Sequence, residues 1–212
     1  MMNNRQDKST EGLHIGVLGG SFDPVHTGHV HLALDALNQV DLDRILVVPA
    51  KLQPFKLDRT PASGEDRMEM LRIAFAGEEG IEISPMELDR DGISYTYLTL
   101  RETRARYGEE ARVSFITGTD SLLKLDTWMN AEELLTEYAY IVGSRPGYLE
   151  EELFAKAEEL KNRWGTKITI IENRLFDVSS TEIRENVAKG RSIAGMVPEK
   201  VEEYIAANQL YV

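Results

Sequence analysis

The sequence predicts a doubly wound α/β fold, in which a mostly parallel sheet carries helices on both faces and a helical segment follows at the C-terminus. Short runs rich in valine and isoleucine alternate with longer stretches of helical periodicity. The runs are apolar at consecutive positions, as in strands buried on both faces of a parallel sheet. A glycine-rich turn follows the first run and leads straight into an apolar helical stretch, which is typical of a strand end in such a fold.

Six short segments are predicted as strands. They are residues 13–18, 44–48, 81–84, 113–117, 138–142 and 167–171. Right-handed crossovers between them would complete a Rossmann-like fold, with ligands bound at the carboxyl ends of the strands.

The predicted helices are marked by their ends. The first runs through the apolar residues after the glycine-rich turn. A capping box at Ser63–Asp66 opens the second, which continues through Ala76 and is closed by Gly77. Further helices are predicted from a Thr96 cap to Tyr107 with Gly108 as the stop, over 149–164, from a Ser179 or Ser180 cap to Gly190, and from Pro198 onwards. The proline-containing stretch 49–61, with Lys51 and Lys56, is predicted as a loop.

Composition narrows the classes of function. The 212 residues fit one domain over 1–212, with a polar and flexible tail over 1–11. The net charge of −12 disfavours a nucleic-acid or anionic-membrane surface, so a phosphate site has to be local. The chain has no cysteine and no apolar stretch of about 20 residues, which predicts a cytoplasmic protein without disulfides or membrane spans. A homo-oligomer is left open.

The turn over residues 19–29 carries the strongest chemical signal. Gly19 and Gly20 allow a ligand to approach the backbone, Pro24 fixes the turn, and Gly28 keeps bulk away from the first helical turn. His26 and His29 lie three residues apart, on one side of a helix N-terminus that favours anions. The turn is therefore predicted to bind phosphates.

A second phosphate site is predicted over residues 178–184. Ser179 and Thr181 place hydroxyl groups at a helix start, and Arg184 follows about one turn later, where its guanidinium reaches the same anion. The spacing of Gly16, Gly19 and Gly20 does not fit the dinucleotide fingerprint, and no P-loop follows.

The first turn, with its His-x-Gly-His ending, resembles the signature of the nucleotidylyltransferase superfamily, and residues 178–184 resemble its second motif. Further blocks resemble the bacterial type of nicotinate-nucleotide adenylyltransferase: 94–96, 118–122, Trp128 and 145–148. Phe55 stands where that family often has a histidine. The resemblance runs from Gly16 to the C-terminus.

The resemblance implies transfer of AMP from ATP to nicotinate mononucleotide, with release of pyrophosphate, in NAD synthesis. His26, His29 and Arg184 would be catalytic. Trp128 would stack on the pyridine ring, the Thr96 region would hold the nicotinate carboxylate, Asp120 would lie by a ribose and Arg145 would face phosphate. The expected ATP-binding residues are Gly19, Gly20, Ser21, Phe22, Gly28, Ser179, Thr181 and Asp120, and those for the mononucleotide are Tyr95, Thr96, Trp128, Arg145 and Lys56.

The attacking phosphate is ionised at neutral pH, so neither a general base nor a covalent intermediate is expected. Mg²⁺ is expected on the triphosphate, without protein ligands of its own. Three alternatives stay open: an adenylyltransferase for nicotinamide mononucleotide or another acceptor such as pantetheine phosphate, a nucleotide-binding regulator without catalysis, and a redox dinucleotide protein. The presence of His29 and Arg184 argues against a regulator without catalysis, and the absence of the dinucleotide fingerprint argues against a redox protein.

Overall fold

The computed structural model describes residues 12–52, 61–144, 150–173 and 178–212. Six parallel strands form one sheet in the order β3-β2-β1-β4-β5-β6. The strands are β1 His14–Gly20, β2 Arg44–Pro49, β3 Ile81–Ile83, β4 Arg112–Gly118, β5 Ala139–Ser144 and β6 Lys167–Glu172. Every predicted strand is confirmed. The strands could be predicted because each apolar run is too short for a helix and rich in β-branched residues.

Helices cover both faces of this sheet, as predicted. They are α1 Thr27–Gln39, α2 Gly64–Ala74, α3 Met86–Asp89, α4 Thr96–Tyr107, α5 Thr119–Leu122, α6 Ala131–Glu137, α7 Glu150–Trp164, α8 Ser180–Ala188 and α9 Glu199–Ala207. One buried cluster joins the sheet to α1, α2, α8 and α9, and a second joins its other face to α4, α6 and α7. Alternate residues of β1 separate accordingly: Leu18 belongs to the first cluster, and Ile15 and Val17 to the second.

Two details of the helix predictions are wrong. Thr96 is the first residue of α4, and Tyr95 takes the cap position with extended backbone. The segment between β4 and β5 contains α5, a 3-10 turn over Leu125–Thr127 and α6, whose bounds were not predicted. These pieces have three to seven residues, so they are too short to show an apolar periodicity in the sequence.

The strand order positions the site. β1 pairs with β2 on one side and with β4 on the other. The strand order therefore reverses at β1, with β2 and β3 on one side of it and β4, β5 and β6 on the other. In open parallel sheets, ligands bind in the crevice that opens at the carboxyl ends of two such strands. The tail 1–11 and the loop residues 53–60 lie outside the described residues.

Candidate active site

The glycine-rich turn joins the carboxyl end of β1 to α1, beside this crevice. It ends at His26, whose extended backbone precedes the first helical residue, Thr27. The amide and the hydroxyl of Thr27 both donate to the carbonyl oxygen of Met196, each at 3.0 Å. Gly28, the second residue of α1, is therefore the next amide of the helix N-terminus that can face an anion.

His26 and His29 form a stacked pair. Their ring centroids are 3.6 Å apart with an interplanar angle of 27°. The backbone amide of His26 donates to Nδ1 of His29 at 3.3 Å. Because Nδ1 accepts this hydrogen bond, the neutral ring of His29 carries its proton on Nε2, which is then a donor. The three-residue spacing thus brings the rings together, as predicted, and fixes the tautomer of one of them.

Aromatic rings fill the space beside both glycines of the turn. A Cβ atom on Gly20 would lie 3.0 Å from the ring of Phe22, and one on Gly19 would lie 3.2 Å from the ring of Phe115. Phe22 is fully buried and packs edge-on against His29 at 4.9 Å between centroids. The side chain of Phe22 therefore supports the ring of His29.

The N-terminus of α8 docks directly on this turn. Ser180 donates its hydroxyl to the carbonyl oxygen of Pro24 at 2.9 Å, and Arg184 donates to the carbonyl oxygen of Asp23 at 2.6 Å. The other guanidinium nitrogen of Arg184 donates to the Thr181 hydroxyl at 3.1 Å. Ser179 caps α8 by accepting from the amide of Glu182. The two segments predicted to bind phosphate, 161 residues apart at Asp23 and Arg184, are thus in contact.

Asp23 is a buried carboxylate within this contact. Its Oδ1 accepts from the Tyr211 hydroxyl at 2.8 Å and from the Ala62 amide at 3.0 Å. Its Oδ2 lies 4.0 Å from the guanidinium of Arg184. The residue joins the turn, the entry to α2, α8 and the last residues of the chain.

Arg67 on α2 was not singled out in the sequence, although it holds three segments at this edge of the sheet. The side chain is 2% exposed and donates to the carbonyl oxygens of Ser21 (2.8 Å), Ala50 (2.7 Å) and Ala62 (3.1 Å). Burial lowers the pKa of Arg67, and the neighbouring Tyr211 offsets part of that effect. No sequence signal could have found it, because its partners are backbone atoms of distant segments.

The N-terminus of α4, with Tyr95 and Thr96, is tied to the end of β2. The Lys51 amide donates to the Ser94 hydroxyl at 2.9 Å, and the Ser94 amide donates to the Leu52 carbonyl oxygen at 2.8 Å. Tyr95 and Thr96 are half-buried. The first free amides of α4 therefore lie at the same edge as the glycine-rich turn, where a helix N-terminus suits a carboxylate.

Trp128 directly follows the 3-10 turn after β4. It is half-buried and packs against the buried ring of Phe115 in an edge arrangement, with 5.8 Å between centroids. Because Phe115 also lies against Gly19, one ring connects Trp128 with the glycine-rich turn. The structure thus places Trp128 on the β4 side of the crevice and the histidine pair on the β1 side.

Asp120 is the second residue of α5, directly after β4, and its side chain is exposed. Gly118 is the cap of that helix. Arg145 and Lys56, both expected to bind the mononucleotide, lie outside the described residues, as does Phe55.

Across residues 12–52, 61–144, 150–173 and 178–212, no group of three or more histidine, aspartate and glutamate side chains could hold a metal ion. In the same ranges, no helix combines the length and the apolar character that crossing a bilayer requires.

Comparison with known proteins gives matches along most of the chain. A family model described as cytidylyltransferase-like matches residues 17–186. A protein of Exiguobacterium sibiricum is 39% identical over 201 residues, which cover 94% of this chain and 99% of that protein. A protein of Clostridium novyi is 34% identical over 196 residues, covering 92% and 98%. Both relatives are described as a probable nicotinate-nucleotide adenylyltransferase.

Solved structures share the fold. That of a Plasmodium falciparum nicotinic acid mononucleotide adenylyltransferase complexed with APC has a TM-score of 0.74 at 21% identity, covering 94% of this chain and 97% of that one. The same enzyme complexed with NaAD gives a TM-score of 0.73 at 22% identity with the same coverage. The six-stranded parallel sheet with helices on both faces is thus a known architecture.

Proposed function

Because the chain belongs to the nicotinate-nucleotide adenylyltransferase family, we propose that it transfers AMP from ATP to nicotinate mononucleotide. The products are nicotinate adenine dinucleotide and pyrophosphate. One observation carries the proposal from the side of the structure: Arg184 is hydrogen-bonded at 2.6 Å to the turn that bears the stacked histidines. A guanidinium and two imidazoles thus converge beside a helix N-terminus, which suits a polyphosphate.

The reaction needs alignment more than acid or base chemistry. An oxygen of the mononucleotide phosphate forms a bond to the α-phosphorus of ATP, while the bond from that phosphorus to the bridging oxygen breaks and its electron pair leaves with pyrophosphate. The attacking oxygen is already ionised. We propose that Nε2 of His29, the ring of His26 and the guanidinium of Arg184 stabilise the negative charge that develops.

Glycines and caps supply the remaining contacts to ATP in this proposal. The backbone from Gly19 to Phe22 and the amide of Gly28 would face its phosphates. Ser179, Thr181 and the start of α8 would approach them from the opposite side, and Asp120 would accept from a ribose hydroxyl.

The acceptor is proposed to bind across the crevice. Trp128 would stack on the pyridine ring, and the free amides at Tyr95 and Thr96 would receive its carboxylate. Arg145 and Lys56 are proposed to reach phosphate. The edge contact between Trp128 and Phe115, and the hydrogen bonds from Lys51 and Ser94, support this arrangement because they hold both regions at the edge where β1 ends.

We further propose that ATP binds as its magnesium complex, in which Mg²⁺ retains several water ligands. The enzyme is proposed to act in the cytoplasm. It is also proposed to act without nucleic acid, since a net charge of −12 disfavours polyanions outside a local site.

The test is release of pyrophosphate by the purified protein with ATP and one acceptor at a time. We expect turnover with nicotinate mononucleotide, and much less with nicotinamide mononucleotide or pantetheine phosphate, since only the first offers a ring carboxylate to the start of α4. Equal or better turnover with either alternative would reassign the acceptor. No pyrophosphate with any acceptor would favour a regulator, and quenching or enhancement of NADH fluorescence would favour a redox protein.

A further inference from the structure

We propose that Tyr211 is a positioning residue for the phosphate site, which acts through Asp23 on Arg184. The inference rests on the proposed role of Arg184 toward ATP. Tyr211 belongs to the short segment after α9, and its hydroxyl donates to Oδ1 of Asp23 at 2.8 Å. The hydroxyl therefore reaches toward Arg184 through a buried carboxylate.

Asp23 presents its two oxygens to different partners. Oδ1 accepts from Tyr211 and from the Ala62 amide, while Oδ2 lies 4.0 Å from Nη1 of Arg184, beyond a direct hydrogen bond. The carboxylate is about 1% exposed, so water does not screen it from the guanidinium. The Tyr211 hydroxyl and the Ala62 amide thus constrain the orientation of the carboxylate and with it the distance from Oδ2 to Arg184.

That distance matters for Arg184. A guanidinium prefers a bidentate pair with a carboxylate. Here Arg184 instead donates to the backbone carbonyl of Asp23 and to the Thr181 hydroxyl, and its side chain keeps 19% exposure at the crevice. Asp23 orients the guanidinium electrostatically without enclosing it.

Removing the Tyr211 hydroxyl would change this balance. Oδ1 would lose the Tyr211 donor, and the carboxylate would be freer to rotate so that both oxygens approach Arg184. The guanidinium would then be drawn toward the protein and away from the phosphates. The effect would weaken binding of the nucleotide and slow the transfer, while the mononucleotide site on the β4 side would be unaffected.

The chain contains a matched control. Tyr204 on α9 also donates its hydroxyl to an aspartate, Asp66 at the start of α2, at 3.0 Å. This bond joins α9 to α2, and neither of its two residues belongs to the glycine-rich turn. Tyr204→Phe therefore also loses a hydrogen bond to an aspartate and leaves Asp23 as it is.

The experiment compares Tyr211→Phe and Tyr204→Phe for kcat/KM with ATP, for the KM of nicotinate mononucleotide, and for calorimetric binding of ATP alone. We expect Tyr211→Phe to lower kcat/KM for ATP by about tenfold, the scale for one hydrogen bond to a charged group. The KM for the mononucleotide should stay within about twofold. Tyr204→Phe should match the wild type in all three measurements, with a similar melting temperature to Tyr211→Phe.

A double-mutant cycle separates this inference from the proposed function. If Tyr211 acts through Arg184, then Tyr211→Phe should have no further effect on ATP in an Arg184→Ala background. Equal effects in both backgrounds, or equal behaviour of the two tyrosine variants, would overturn the inference and leave the proposed function standing. Full activity of Arg184→Ala would overturn the assigned role of Arg184 and this inference with it.

Discussion

The two ring nitrogens of His29 have different hydrogen-bonding roles. Nδ1 accepts from the backbone of His26 and so helps to shape the start of α1, while Nε2 is the donor proposed to meet phosphate. Substitution by alanine would remove both at once. The two roles are better separated by amides, because an asparagine oxygen resembles Nδ1 in position and a glutamine nitrogen resembles Nε2.

We expect His29→Asn to lower kcat by about 100-fold, the scale for one lost donor to a developing oxyanion. His29→Gln should retain more activity, because its amide nitrogen can still donate near the position of Nε2. Steady-state pyrophosphate release measures both, with circular dichroism melting to verify that His29→Asn stays folded. Near-normal turnover of His29→Asn would remove His29 from the catalytic set.

Single residues also set the limit of what the sequence predicts about the site. The histidine pair and Arg184 were predicted because local spacing fixes them, and the structure brings them together. Arg67 was missed because it binds backbone carbonyls from distant segments. Thr96 was wrongly predicted as a cap because threonine favours that position, whereas the hydrogen bonds at Ser94 fix the chain entering the helix.

At the scale of elements, α4 and α6 are joined by ion pairs. Arg101 on α4 contacts both carboxylate oxygens of Glu133 on α6, at 2.5 and 2.6 Å, and the guanidinium of Arg104 lies 3.4 Å from the carboxylate of Glu137. A cleft of about 490 Å³ lies between these side chains. Since α4 begins at Thr96 and α6 begins soon after Trp128, we expect the pairs to influence the separation of the two parts of the proposed acceptor site.

Reversing one charge should therefore affect the acceptor alone. For Arg101→Glu we expect a rise in the KM of nicotinate mononucleotide of about two- to fivefold, in keeping with an exposed pair. The KM of ATP should not change, and the swap Arg101→Glu with Glu133→Arg should restore the acceptor KM. Lys161→Glu, which breaks an exposed pair within α7, is the control. An unrestored KM in the swapped variant would contradict a role for the pair.

The predictability of elements follows from their length and burial. β1 and β4 are almost wholly buried, so their apolar runs identified them. The short helices between β4 and β5 are held by tertiary contacts, such as the hydroxyl of Tyr140 donating to the carbonyl oxygen of Leu134 at 2.8 Å. Such contacts leave no periodic trace in the sequence.

At the scale of the whole molecule, His14 ties the opposite edge of the sheet together. Its Nδ1 donates to the Asp41 carbonyl oxygen at 2.9 Å, and its Nε2 accepts from the Ser114 hydroxyl at 2.8 Å, so β1, β4 and the entry to β2 meet there. Burial lowers the pKa of His14, and Arg112 adds to this effect against the opposing influence of Asp41 and Asp43. The fold thus holds His14 neutral.

A lowered pKa gives this residue a defined effect on stability. The unfolded chain binds a proton at His14 near pH 6.5 and the folded chain does so only at lower pH, so stability present above pH 6.5 is lost as the pH falls below it. We expect the melting temperature to fall between pH 7.5 and 5.5 more steeply in the wild type than in His14→Gln. Thermal unfolding across that range measures the difference, and parallel curves would contradict the prediction.

Phe115 lies between the proposed sites of the two substrates. Its ring occupies the place of a side chain on Gly19 and also supports Trp128. A smaller residue there would leave a void against the turn, and a larger one would press on it. Substitutions that change the packing behind Trp128 to admit a different acceptor are therefore expected to alter the binding of ATP as well. Under the proposed function, acceptor specificity and ATP affinity would therefore evolve together.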